Sequence, residues 1–277
     1  EVVTQTGQEV TAIVAENFLA GTTTCCVMCR QCGAELFPVD VGMVTDTKVR
    51  IDLKVAYGTR NMTKDPAMTR EQAIQGIEAG IAMAEELKGK GYQVLATGEM
   101  GIGNTTTSSA VLASLVACEI DEVVGKGAGL TDEAFILKKE VVKKAIEINK
   151  PNREDPIDVI AKVGGFDLAG MVGVYLGAAY YKLPIVIDGF ISVVAALVAT
   201  KLCSKVKDYL IPSHVSKEIG YSIAINNIGL EPMLNLDMRL GEGSGCPIAF
   251  SIVNYACAIM NNMATFHEAE IDPSYLS

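Results

Sequence analysis

Basic residues are scarce in this sequence: 23 Lys and Arg stand against 33 Asp and Glu, a formal charge of −10. A general nucleic-acid surface needs a basic footprint, so that class of partner is not expected. Long apolar runs are missing too. The longest, from Ile185 to Leu202, is broken by Asp188, Ser192 and Lys201. It falls short of the roughly 18 uninterrupted apolar residues that mark a membrane span, and it reads as strand, loop and buried helix. Low-complexity segments and repeats are absent, and no signal-peptide pattern follows Glu1. Histidine is limited to His214 and His267, each read as structural. Neither Ser213 nor the G-E-G-S-G run at 241–245 fits the G-x-S-x-G nucleophile elbow, which disfavours a hydrolase.

Apolar material is plentiful, with 49% hydrophobic residues and a mean hydropathy of +0.30. A chain of this kind has little need of disulfide staples. Its eight cysteines include a crowded set at Cys25, Cys26, Cys29 and Cys32. The C-x-x-C-x-x-C order is part of an iron–sulfur run, but no fourth ligand and no proline follow at the required spacing. The spacing is also that of one helix, so these residues are read as buried helix thiols in a cytoplasmic protein, with no metal. A redox role for the set stays open.

Short β-rich runs alternate with helical patterns, the signature of α/β architecture. Helices are predicted from Val10 to Leu19 and from Thr24 to Gln31, stopping at Gly33. Glu35 to Val41 reads as a strand, and Ile51 to Ala56 as an edge strand or loop. Thr69 and Gln72 form a capping box that opens a helix to Lys88. Tyr92 to Ala96 is a predicted strand, followed by a helix over about 105–117. Val123 and Val124 are read as a strand end, and Thr131 caps a helix that reaches Asn149. Helices follow at 158–163 and 166–181, then a strand over 184–187. A helix resumes at Ile191, a strand covers 209–211, and Ser216 starts a helix with Ile219 and Ile223 inward. The last helix runs from Pro247 to Met263.

Polar and glycine-rich segments thus recur at the carboxyl ends of predicted strands, where open parallel sheets collect ligands. Five such segments are expected to converge, at Asp40, Glu99, Asp188, Ser213 and Glu242. The strongest is Gly98 to Thr107. Gly101 and Gly103 permit close backbone approach, and Asn104 or Thr105 can cap the next helix. A phosphate at that helix start would meet free N–H groups and the positive end of the dipole. The run is neither a Walker A loop nor a G-x-G-x-x-G fingerprint. Gly125-Lys126-Gly127 is a weaker second turn, with Lys138 on the following helix. Glu242, flanked by Gly241 and Gly243, can serve as a general base against a ring lying on the backbone; the alternative is an exposed loop glutamate.

Together these segments resemble the nicotinate-nucleotide–dimethylbenzimidazole phosphoribosyltransferase (CobT) family. The resemblance rests on GEMGIGNTTTSSA (98–110), EVVGKGAGL (122–130), AIEINKPNREDPIDVIAKVGGFDLAGM (145–171), LPIVIDGF (183–190), YLIPSHVS (209–216) and MRLGEGSG (238–245), which run in family order. It implies a Rossmann-like, mostly parallel sheet with helices on both faces (34–245) and a small helical lobe from the chain ends (1–33 and 246–277). It implies a homodimer, or a heterodimer with a paralogue, and no cofactor. The implied reaction moves 5-phosphoribosyl from nicotinate mononucleotide to an aromatic base for the cobamide lower ligand.

Carried over by position, Glu242 is the base and Glu99 a second carboxylate at the reacting centre. Gly101, Gly103, Asn104, Thr105, Gly127, Lys138, Asp188 and Ser216 fall at phosphate and ribose positions. Thr6, Val14, Gly241 and Gly243 fall around the acceptor ring. Two departures accompany the resemblance. A family N-terminal stretch, including a first strand, is expected ahead of Glu1. Val14 stands where some members carry Gln, which leaves a phenol or purine acceptor open beside a benzimidazole. A catalytically silent subunit of the same fold is the rival reading, and retention of both glutamates argues against it.

Overall fold

The structure is a computed structural model and describes residues 3–116, 118–127, 129–272 and 274. Ala117, the predicted end of one helix, lies outside the described residues, as do 1, 2, 273 and 275–277 from the predicted terminal lobe. Among the described residues the chain opens with α1 (Glu9–Ala20) and α2 (Thr24–Cys32), then α3 (Arg70–Gly89) after a long irregular stretch. Strand β1 (Leu95–Ala96) leads to α4 (Asn104–Leu115), the single turn α5 (Ile120–Val123), α6 (Asp132–Asn149), α7 (Pro156–Val163) and α8 (Phe166–Tyr180). Strand β2 (Ile185–Ile187), α9 (Phe190–Leu202), a 3₁₀ segment (Ser204–Tyr209), β3 (Leu210–Pro212), α10 (Tyr221–Ile228) and α11 (Cys246–Asn262) complete it.

The three strands form a parallel sheet in the order β1-β2-β3, with Leu95 beside Ile185 and Ile185 beside Leu210. Every residue of the central strand is fully buried. A strand covered on both faces reads as a continuous apolar run, and Ile-Val-Ile does. Alternation divides the faces. Ile185, Ile187, Leu95 and Leu210 enter the main core with α4, α8 and α9. Val186, with Ala96 and Ile211, packs instead on Cys246, Ala249 and Phe250 of α11. α11 also lies against α2.

α3 and α8 cross backbone to backbone. A Cβ on Gly80 would lie 2.0 Å from the Gly170 carbonyl oxygen, and one on Gly173 would lie 1.9 Å from that of Ile77. Glycine is required at both positions by this close approach. The capping box of α3 is present as read, with Thr69 accepting from Gln72 and Gln72 reaching back.

Several predicted elements differ. Glu35 to Val41 is no strand, and a lone bridge joins Val39 to Arg50. The Asp40 carboxylate takes the Gly42 and Met43 N–H groups at 2.9 and 2.8 Å and pairs with Lys54 at 2.9 Å. Such local bonds compete with a ladder. Ile51 to Ala56, read as an edge strand or loop, is the loop. Val123 ends a helical turn fixed by the Glu119–Glu122 box, so the Gly125-Lys126-Gly127 turn follows a helix rather than a strand. Asn104 and Thr105 do not cap α4; Gly103 does, at φ 97°. The helix expected from Ser216 starts at Tyr221, because the Lys217 N–H is tied to Met238. Ile219 is accordingly exposed, and Tyr221, Ala224, Ile225 and Ile228 face inward. Glu9–Cys32 is 24 residues of high hydropathy, but Gly21 ends α1 in the left-handed region and Thr23 caps α2, which divides the stretch in two.

Candidate active site

β1 delivers the chain to Gly98 and Glu99, and the segment before α11 brings Glu242 to meet them. A Cβ on Gly98 would lie 2.5 Å from the Glu242 carbonyl oxygen, so the two loops touch through bare backbone. The Glu242 backbone lies near enough to Glu99 to favour its ionised form slightly, and a Cβ on Gly241 would lie 2.6 Å from Glu99 Oε1. Asn104, at the start of α4, divides its amide between Glu99 and Asp167, donating to Glu99 Oε2 and, at 2.9 Å, to Asp167 Oδ2. Burial is the main force on both carboxyls. It pushes Glu99 up to about 8, opposed by the Asn104 bond and reinforced by Asp167, and it raises Asp167 in the same direction.

Glu242 is held at φ 63° between Gly241 and Gly243, both at 84°. Left-handed backbone costs a residue with a Cβ about 1–2 kcal/mol, and such conformations collect at functional sites. Two supports maintain it. Asp188, buried at the end of β2, accepts the Gly243 and Gly245 N–H groups at 3.1 and 2.8 Å. Burial raises Asp188 to about 6, and those backbone bonds hold it down. The Glu242 carboxylate in turn faces the N-terminus of α2, with Oε2 at 3.5 Å from the Cys25 nitrogen. That end of a helix favours an anion. His214 donates to or accepts from Ser213 at 2.9 Å and stands 4.0 Å from Asp188; burial lowers its pKa.

A cavity of about 640 Å³ opens between these loops and the terminal helices. Of the predicted residues, Glu99, Gly101, Gly103, Asn104, Glu242 and Gly243 line it. Gly241 abuts Glu99 from behind, and Asp188 supports the loop without lining the cavity. Thr105, Gly127 and Lys138 form a cluster of their own: the buried Lys138 ammonium bonds Thr105 Oγ1 at 2.8 Å and the Gly125 carbonyl at 2.9 Å, beneath Gly127. Burial lowers that lysine to about 8. Ser216 sits beside Gly189.

Thr6 and Val14 do not line the cavity. Thr6 is exposed, and the face of α1 turned to the cavity carries Thr11, Ala15 and Phe18, with Gln8 just before it. Those positions follow the helical period, one residue out of phase with Val14. Asp40 itself turns away, but its neighbours Pro38, Val39, Val41 and Gly42 line the cavity, so the segments at Asp40, Glu99 and Glu242 converge on it as predicted, while those at Asp188 and Ser213 lie behind it against the Glu242 loop. Sequence reading missed Asp167, whose signal was a single carboxylate opening the otherwise apolar α8. Cys25, Cys29 and Cys32, read as buried helix thiols with a redox role left open, form part of the cavity wall. Among the described residues no three side chains of the His, Cys, Asp and Glu types gather as metal ligands.

A family model described as a phosphoribosyltransferase matches residues 1–271. The chain belongs to this phosphoribosyltransferase family. It is 52% identical over 271 residues to the nicotinate-nucleotide–dimethylbenzimidazole phosphoribosyltransferase of Clostridium perfringens, covering 97% of this chain and 75% of that protein. To the Clostridium tetani protein of the same name it is 53% identical over 266 residues, covering 95% and 74%. Among solved structures it is similar to CobT from Thermus thermophilus, with a TM-score of 0.92 and 36% identity over 98% of this chain and 81% of that one. In this phosphoribosyltransferase the parallel sheet, the glycine-rich loop after β1 and the Glu242 loop meet at one cavity, and its two glutamates differ in setting. Glu99 is enclosed among other acidic groups, whereas Glu242 faces a helix N-terminus.

Proposed function

We propose that the protein transfers the 5-phosphoribosyl group of nicotinate mononucleotide to dimethylbenzimidazole, releasing nicotinate and forming the α-ribotide of the cobamide lower ligand. The observation that carries this reading is that Glu99 and Glu242 line one cavity, on loops whose backbones touch at Gly98 and Glu242. The pyridinium nitrogen of the donor is already cationic and departs without protonation. As the glycosidic bond lengthens, the anomeric carbon gains positive charge, which Glu99 stabilises. The cationic donor favours the ionised carboxylate, so Glu99 sheds its proton as the substrate binds. Glu242 removes the acceptor's N–H proton while the other ring nitrogen attacks the opposite face of the sugar. One displacement converts β to α.

Gly101, Gly103 and Asn104 at the start of α4 receive the phosphoribosyl group, and Thr105, Gly127 and Lys138 hold that helix start in shape. Asp188 and Ser216 brace the loops behind. Gly243 and the α1 face from Gln8 to Phe18, rather than Thr6 and Val14, receive the acceptor. With Val14 off the cavity lining, the reason for weighing a phenol over an azole falls away. The terminal helices α1, α2 and α11 act as a lobe closing the cavity, and their exposed apolar faces support a homodimer. With water-soluble substrates, the enzyme works in the cytoplasm.

Incubation with nicotinate mononucleotide and dimethylbenzimidazole, followed by chromatography, should yield nicotinate and the α-ribotide together. Absence of nicotinate release with benzimidazole, purine and phenol acceptors alike would instead mark a catalytically silent subunit.

A further inference from the structure

We propose that Cys25 and Cys29 are a reversible oxidative modification site, which takes a peroxide as its reactant and closes to an intrahelical disulfide in the wall of the active-site cavity. Their sulfurs lie 3.8 Å apart, and both residues line the cavity. The neighbouring thiols are otherwise engaged. Cys26 gives its hydrogen to the Phe18 carbonyl, Cys32 to that of Cys29, and Cys246 to that of Thr97. Cys25 and Cys29 alone among these hold each other. The Cys25 thiol, as donor, draws the Cys29 pKa down to about 7, which supplies a thiolate near neutrality.

The chemistry balances with peroxide as the two-electron oxidant. The Cys29 thiolate attacks one peroxide oxygen, the O–O bond breaks, and the departing oxygen leaves as water after taking a proton. The resulting sulfenic acid is attacked by the Cys25 sulfur, the S–S bond forms, and the sulfenic oxygen leaves as a second water with the Cys25 proton. Two thiols and one hydrogen peroxide thus become one disulfide and two waters.

Residues four apart on a helix have Cβ atoms about 5–6 Å apart, while a disulfide draws them to roughly 3.5–4.5 Å. Closure therefore deforms α2 at its first turn, where the Cys25 N–H faces the Glu242 carboxylate at 3.5 Å. This consequence rests on the proposed role of Glu242. A shift of about 1 Å in a reacting group costs on the order of 100-fold in rate. Strain in the bridge also makes it easy to reduce, which keeps the modification reversible.

The test treats the reduced full-length protein with hydrogen peroxide, blocks residual thiols and maps the peptide spanning 25–29 by mass spectrometry, with nicotinate release followed in parallel. The expected result is a peptide lighter by two hydrogens, forming as transfer falls on the order of 100-fold, with both reversed by a thiol reductant. Each variant is compared with its own untreated activity: Cys29→Ser should resist peroxide, and Cys26→Ser should be as sensitive as the parent. An unchanged peptide mass, oxygen adducts without the bridge, or a bridge with undiminished transfer overturns the proposal. The mass readout on the parent protein needs neither a variant nor activity, so a failure of the transferase reading is distinguished from a failure of the thiol site.

Discussion

Glu242 combines the costliest backbone of the site with its proposed chemistry. The left-handed conformation aims its carboxylate at the α2 N-terminus, and glycines on both sides are the sequence trace of that turn. Glu242→Gln keeps the shape and removes the base. Turnover should fall about 100-fold or more with the donor still bound, as judged by single-turnover kinetics and donor titration; near-normal turnover removes Glu242 from its role. Glu99 gives a pH signature. Its folded pKa, about 8, lies above the ordinary 4.5, so between those values the folded state retains a proton that the unfolded chain has lost. Stability from this group is full below about 4.5 and declines as pH rises to about 8, by up to about 1.4 kcal/mol per pH unit. His214, whose pKa burial lowers, opposes this trend below about 6.5, its ordinary value. Thermal melts of the ligand-free protein should thus show the Glu99 decline most clearly from about pH 6.5 to 7, above which Cys29, drawn down to about 7 from its ordinary 9.0, opposes it. Glu99→Gln should flatten it and raise Tm at pH 8. An unaltered pH slope in that variant would mean that Glu99 is ionised before any substrate arrives.

Among the elements, the α3–α8 crossing fixes the helix that presents Asp167 at its first turn. Gly173→Ala places a methyl group 1.9 Å from the Ile77 carbonyl, and neither backbone can yield without separating the helices. Overpacking of this kind costs at least about 1–3 kcal/mol, read as a lower urea midpoint; an unchanged midpoint would show that the crossing is loose. The helices themselves were legible. The Thr69–Gln72 box, Gly33 after α2 and Thr131 before α6 each carried a local signal, and each stands where the sequence put it. The strands were less so. Glu35–Val41 has the composition of a strand, yet Asp40 diverts its neighbours into a turn and ties itself to Lys54, a competition that no pattern of hydrophobicity records. In the site, Glu99 and Glu242 were marked by their glycines. Asp167 depends on an Asn104 amide 63 positions away, and the phase of α1 depends on how it docks. Such long-range facts have no local signature.

For the whole molecule, α11 poses the question of what it stands against. Its first turn is clamped between β2 and α2 by Cys246, Pro247 and Ala249. From Asn254 onward every residue of the helix is exposed, including Tyr255, Ile259 and Met260. Apolar residues also remain exposed on α1 and α2, at Ile13, Leu19 and Val27. A helical extension without tertiary packing is marginal in water, and clustered exposed apolar side chains mark an association surface. In the proposed homodimer a second copy covers this helix, so each subunit steadies the wall that bears the partner's thiols and acceptor pocket. Met260, 83% exposed, has almost no packing to lose within one subunit, and a surface substitution there should change subunit stability by no more than about 0.5 kcal/mol. Met260→Glu would instead bury a charge between copies. Sedimentation velocity should show the parent as a dimer and Met260→Glu dissociating at protein concentrations at least about tenfold higher, a loss of ~1.4 kcal/mol. Transfer should weaken on dilution over the same range, because α11 also supplies Pro247 and Phe250 to the cavity wall. A variant that dimerises as tightly as the parent moves the interface elsewhere, and a parent that sediments as a monomer at all concentrations removes the second copy altogether.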